Sequence, residues 1–220
     1  MSSGWRQWFG IGASNNQPLQ NARWVVVDVE TTGLDIHRDQ LLAIGAIGVT
    51  GSALTPPDSL EVVLKQGVAS SAANILVHRI TGSEQRGGQP PGEALDAFLE
   101  FANPERTVGC VGYHAAFDEA MLKHACKQHG RTLPAALAFL DLADLAPALL
   151  PGVLPVKAPL DDWLAHFDIR VAQRHHAVAD ALGTAQLFLA LRAIALARNL
   201  TTSARLFELA RAQRWLNRGG

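Results

Sequence analysis

Asp28 and Glu30 stand two residues apart in the run Trp24-Val25-Val26-Val27-Asp28-Val29-Glu30-Thr31-Thr32-Gly33. Alternate side chains of a strand share a face, so both carboxylates point the same way. Trp24 to Val27 are aromatic or β-branched, the composition of a strand buried on both faces. Two like charges gathered at the end of such a strand are costly unless a cation joins them. A divalent metal is the simplest answer. Taken alone, an Asp-x-Glu at a strand end also fits a solvated edge, but the apolar residues before it weigh against solvation. Thr31-Thr32-Gly33 follows as a turn that can bring backbone close to a ligand.

Two further clusters have matching chemistry. His114-Ala115-Ala116-Phe117-Asp118 follows an apolar run and places Asp118 near a helix start, where the helix dipole favours negative charge. A plain capping role is the alternative there. In His175-His176-Ala177-Val178-Ala179-Asp180-Ala181, Asp180 falls on the first turns of a long helix and His175 lies in the loop before it. Adjacent side chains diverge, so one histidine of the pair can face a site, and His176 is read as solvent-facing. Asp28, Glu30, Asp118 and Asp180 together offer hard oxygen donors that suit Mg²⁺ or Mn²⁺ rather than zinc. Two such ions about 3.5–4 Å apart can clamp a phosphodiester, one generating hydroxide and the other stabilising the leaving oxygen. A neutral histidine beside the attacking water completes a general base.

The hydrophobic pattern supplies the elements that must position these groups. Strands are expected over 23–29, 41–49, 60–65 and 107–113, with a short fifth over 139–141. The glycines in 41–49 suggest close packing or a bulge. Short connections make the first three strands antiparallel neighbours. Helices are expected over 92–102, 117–129, 142–150, 160–167, 177–198 and 202–216. Strands first, then alternating strand and helix, imply an α/β fold with a mixed, roughly five-stranded sheet and helices on both faces. The expected organisation is an N-terminal arm over 1–20, one domain over 21–200, and a C-terminal helix over 201–220 packed on the domain or on a partner.

At 220 residues, one sizeable core is possible, and a net charge of −1 sets up no global positive field for nucleic acid. An enzyme that grips one chain end through metals remains compatible with that charge. Cys110 and Cys126 lack metal-ligand spacing and read as buried free thiols, which fits a reducing, cytoplasmic compartment. Trp5, Trp8 and Phe9 sit among small polar residues with no signal-peptide core. No stretch reads as a membrane span, and 181–197, which contains Arg192, reads as a core helix. Asp161, Asp162 and Asp168 read as helix-surface or capping charges. Arg198, Arg205, Arg211, Arg214 and Arg218 read as a solvated face balanced by Glu208, with contact to a phosphate backbone as the alternative.

The order of these motifs resembles the DEDDh 3′–5′ exonucleases, the DnaQ-like family, over most of 22–198. The resemblance implies an RNase H-like fold, two divalent cations (Mg²⁺ or Mn²⁺) and stepwise release of nucleoside 5′-monophosphates from a 3′ end. By position it implies Asp28, Glu30, Asp118 and Asp180 as metal carboxylates and His175 as general base. Histidine in the third motif argues against the sister group that uses tyrosine there. Within the family the chain is similar to the proofreading epsilon subunit of bacterial DNA polymerase III and its stand-alone relatives. Val77-His78-Arg79-Ile80-Thr81-Gly82 resembles the family's Val-His-Gly-Ile-Thr segment, with Arg79 replacing glycine, and Ala115 replaces a frequent asparagine. Thr31, Thr32, Leu34 and His78 are candidate substrate contacts; a simple turn and a helix-surface histidine are the alternatives. The expected partner is a single-stranded 3′ end, DNA ahead of RNA, with a second copy of the chain as a further candidate. No clamp- or polymerase-binding tail is recognised. An exoribonuclease acting on short RNA or tRNA ends, and a non-catalytic nucleic-acid-binding module, are the competing functions.

Overall fold

The computed structural model describes residues 16–51, 53–171 and 177–218. Strand β1 (Arg23–Thr31) is the centre of a five-stranded mixed sheet. It pairs antiparallel with β2 (Leu41–Thr50), which pairs antiparallel with β3 (Ala53–Val63). On its other side it pairs parallel with β4 (Cys110–Gly112), which pairs parallel with β5 (Phe139–Asp141). The order is β3-β2-β1-β4-β5, so the parallel strands β1, β4 and β5 bring Glu30, Gly112 and Asp141 to one edge.

Alternation along β1 builds two cores. Trp24 and Val26 face α5 (Leu142–Leu149), α6 (Leu160–His166), α7 (Ala177–Ala197) and α8 (Ser203–Arg218). Val25 and Val27 face α3 (Pro91–Phe101) and α4 (Ala115–Gln128). Trp24 anchors the first core, with ring centroids 5.2 Å from Phe188 and 5.6 Å from Phe207. Helices therefore cover both faces, as the strand-helix alternation implies.

Several elements differ from expectation. The third strand begins at Ala53 rather than Leu60, because Pro56-Pro57 lies where the β2–β3 register shifts on an edge strand, a place where a missing N–H breaks no ladder. Helices α1 (Ala72–His78) and α2 (Gly82–Gly87) were not expected; they are short and lack a long apolar period. β4 covers only three residues of the expected 107–113. By length and composition alone α7 does qualify as long enough and apolar enough to cross a membrane, contrary to the sequence reading. Its packing on β1 and β2 and its buried Arg192 make it the central core helix. The aromatic residues of the expected arm lie outside the described residues, but Leu19 is fully buried, and Gln17 and Pro18 bond to Ser203 and bridge to Thr202 at the start of α8.

Candidate active site

β1 delivers Asp28 and Glu30 to the edge of the sheet, and α7 brings Asp180 to them. Ligand oxygens of the three carboxylates lie within 4.8 Å of one another. Asp180 is buried and the other two are half-buried. The approach of α7 depends on Gly45, which pairs with Asp28 across the β1–β2 ladder. A Cβ at Gly45 would stand 2.2 Å from the Ala177 carbonyl carbon and 2.3 Å from the Val178 nitrogen. Helix α7 can start against the sheet only because that side chain is missing.

Asp118 comes from the first turn of α4 and is 6% exposed. The backbone N–H groups of Val29, the residue between Asp28 and Glu30, and of Asp118 itself favour its charged form. Burial pushes its carboxyl well above the ordinary carboxylate range, and the charges of Asp141 and Glu30 push the same way. Gly112 makes room for it: a Cβ there would lie 3.2 Å from Asp118 Oδ2. The N-cap of α4 is His114, so Asp118 is not a cap. Asp118 thus borders the three-carboxylate group from the β4 side. Within that group every donor is a carboxylate oxygen, which fits a hard divalent cation better than zinc.

The candidate substrate contacts are placed as follows. Thr31 Oγ1 donates to the Gly33 carbonyl at 2.7 Å. Thr32 Oγ1 donates to Asp39 at 2.9 Å and accepts the Gln40 N–H at 2.9 Å, which closes the turn after β1. Asn74 of α1 donates to the Thr32 carbonyl at 2.5 Å, tying α1 to that turn. Leu34 is 83% exposed at its tip, with Leu76 and Val77 of α1 also exposed. His78 is not a helix-surface histidine: it is buried, Nδ1 accepts the Ile80 N–H at 3.0 Å, and Nε2 lies 3.0 Å from Ser70 Oγ. Both ring nitrogens serve the loop in this conformation. His175 lies outside the described residues.

Sequence reasoning missed two residues beside this site. Asp141 marked only the end of a strand, and Arg214 only a basic stripe. Arg205 does pair with Glu208, at 2.9 Å, as a solvated helix face would. Arg214 instead reaches Asp144 at 2.6 Å and Asp141 at 3.5 Å. Carboxylates spaced i, i+3 around a strand-to-helix junction were the available signal.

Residues 25–188 match the exonuclease family, RNase T type. The chain is 28% identical over 182 residues to the PolC-type DNA polymerase III of Caldanaerobacter subterraneus subsp. tengcongensis, covering 81% of this chain and 12% of that protein. It is 30% identical over 169 residues to the PolC-type DNA polymerase III of Listeria welshimeri, covering 77% of this chain and 11% of that one. The chain therefore spans only about an eighth of the length of these relatives. Its fold matches E. coli exonuclease I, solved with a dT13 oligonucleotide, with a TM-score of 0.68 at 17% identity over 80% of this chain and 42% of that one. The architecture is thus RNase H-like.

Proposed function

This chain belongs to the exonuclease family, and from that membership we propose that it hydrolyses single-stranded DNA from the 3′ end, using two divalent cations, Mg²⁺ or Mn²⁺. The observation that carries the reading is the convergence of Asp28, Glu30 and Asp180 within 4.8 Å, with Asp118 beside them. These four carboxylates would hold the cations. When bound, the cations would lower the pKa of an attacking water and offset charge on the phosphodiester oxygens. His175 would take a proton from that water as its oxygen attacks phosphorus. The bond from phosphorus to the 3′ oxygen breaks, a nucleoside 5′-monophosphate leaves, and the shortened strand ends in a 3′ hydroxyl. The turn at Thr31, Thr32 and Leu34 would seat the terminal nucleotide. His78, with both nitrogens engaged, would support that seat from behind rather than touch the nucleotide.

DNA is favoured because the relatives are DNA polymerases and the structural neighbour was solved with oligo-dT. The RNase T character of the family match keeps a 3′–5′ exoribonuclease as the second reading. The reduced, buried state of Cys110 and Cys126 fits a cytoplasmic setting. The decisive experiment uses 5′-labelled single-stranded DNA and RNA of one sequence. Wild type should give a Mg²⁺- or Mn²⁺-dependent ladder of shortened products, abolished by chelator and in Asp28→Ala. No metal-dependent shortening of either strand would overturn the reading.

A further inference from the structure

Helix α4 carries Asp118, yet its N-terminus lacks a side-chain cap. Its N-cap residue, His114, adopts φ 61° and ψ 38°, a left-handed conformation that is unfavourable for a residue with a side chain. Something outside the helix must hold it. The His114 N–H donates to Asp141 Oδ1 at 2.9 Å, and the same oxygen accepts the Ala143 N–H at 3.0 Å as the cap of α5. Asp141 is 6% exposed.

Asp141 is in turn held from the C-terminal helix. Arg214 Nη2 lies 3.5 Å from Asp141 Oδ2, and Arg214 Nε donates to Asp144 Oδ2 at 2.6 Å. Asn217 adds a contact to Asp144 Oδ1 at 3.4 Å. A guanidinium can span two carboxylates in this way because its donors are fixed in one plane. A chain of contacts therefore runs from α8 through Arg214 to Asp141, to the His114 backbone, and on to the first turn of α4, where Asp118 stands.

We propose that Asp141 and Arg214 are positioning residues for the metal carboxylates: α8 holds Asp141, Asp141 holds the left-handed His114, and that junction sets Asp118 against Glu30. The proposal rests on the reading of Asp118 as a metal carboxylate. Its consequence is that the C-terminal helix completes the site without touching substrate. Loosening the chain should weaken cation binding and leave the grip on the oligonucleotide alone.

The test measures Mn²⁺ binding to nucleic-acid-free protein by electron paramagnetic resonance, together with Mg²⁺ titration, kcat and KM on a single-stranded oligonucleotide. Arg214→Gln should weaken Mn²⁺ binding and raise the half-activating Mg²⁺ concentration about fivefold or more, with KM within twofold. Asp141→Ala should do more than Arg214→Gln. Asp141→Asn, which keeps an acceptor for both N–H groups, and Arg214→Lys, which keeps the charge, should fall between these and wild type. Arg205→Gln, on the solvated face of the same helix, should match wild type. If Arg214→Gln fails to fold, Arg214→Lys and Asp141→Asn carry the test, each with an expected shift of twofold or more. Mn²⁺ binding and Mg²⁺ activation at wild-type levels in the folded Arg214 and Asp141 variants overturns the relay. A wild-type protein that binds no Mn²⁺ and shortens no strand overturns the underlying metal site instead.

Discussion

At the scale of single residues, His78 shows how a side chain that looks ready for substrate can serve the fold. Its Nδ1 accepts the Ile80 N–H, so in the neutral ring the proton sits on Nε2 and is donated to Ser70 Oγ. Burial holds its pKa below the ordinary histidine value, against the raising effect of a backbone hydrogen bond. The unfolded chain therefore takes up a proton at a higher pH than the folded one. The stability contributed by neutral His78 is fully present above about pH 6.5 and is lost as pH falls from there through the folded-state value. In urea unfolding, the stability gap between wild type and His78→Gln should narrow from pH 7.5 to pH 5.5. A gap that widens would show that the buried ring protonates readily. His175 belongs to the other class, a residue named for chemistry. His175→Ala should cost about 10²–10⁴ in rate with the fold intact, and a rate within a factor of two of wild type would remove it from the role of base. The placement of Asp28, Glu30, Asp118 and Asp180 at a strand end or helix start was legible because their motifs are local and their own neighbours define those elements. Asp141 and Arg214 were not, because their pairing depends on α8 folding back onto the β5–α5 junction, a long-range contact that neither residue's neighbours encode.

At the scale of elements, close approach decides where the chemistry can assemble. The glycine-bearing strand was expected to pack closely, and Gly45 shows against what: the backbone of α7 at Ala177 and Val178. Gly45→Ala should destabilise the protein by about 1–3 kcal/mol, the usual cost of overpacking. It should also lose most of its nuclease activity, because the displaced helix end carries Asp180. Gly67→Ala is the control, since an added Cβ there meets nothing within 4 Å. Urea unfolding of both variants checks this; a Gly45→Ala protein within 0.5 kcal/mol of the control would mean that α7 shifts without cost. Elements with strong periodicity, such as α3 and α7, were readable to within a residue or two. The elements that were missed lack that signal. Helix α2 carries a different one: Thr81 and Glu84 form a reciprocal capping box, a spacing visible in the sequence. In β3, Pro56-Pro57 reads as a turn from composition alone, and only the sheet order shows that this strand is an edge that tolerates it.

At the scale of the whole molecule, stability and function pull against each other at one end of the sheet. Asp28, Glu30 and Asp180 converge, and burial disfavours the charged form of Asp118 beside them, so ionised carboxylates at this end of the sheet resist close packing. A cation that binds only the folded state adds RT ln(1 + [L]/Kd), about 2.7 kcal/mol at a hundredfold excess over Kd. For a domain of this size each kcal/mol moves Tm by about 2–4 °C. Saturating Mn²⁺ should therefore raise Tm by about 5–10 °C over the chelated protein. Asp28→Ala removes one of the clustered carboxylates, which is also one of the proposed metal ligands. Without metal it should be at least as stable as wild type, and with metal its Tm should barely move. Thermal unfolding of both proteins, chelated and Mn²⁺-loaded, separates the two effects. A wild-type Tm indifferent to Mn²⁺ would contradict a carboxylate cage, and a chelated Asp28→Ala less stable than wild type would mean that Asp28 contributes to the fold itself. The expected crossing, in which the inactive variant is the sturdier protein until metal is added, is what a site that trades stability for cation binding must show.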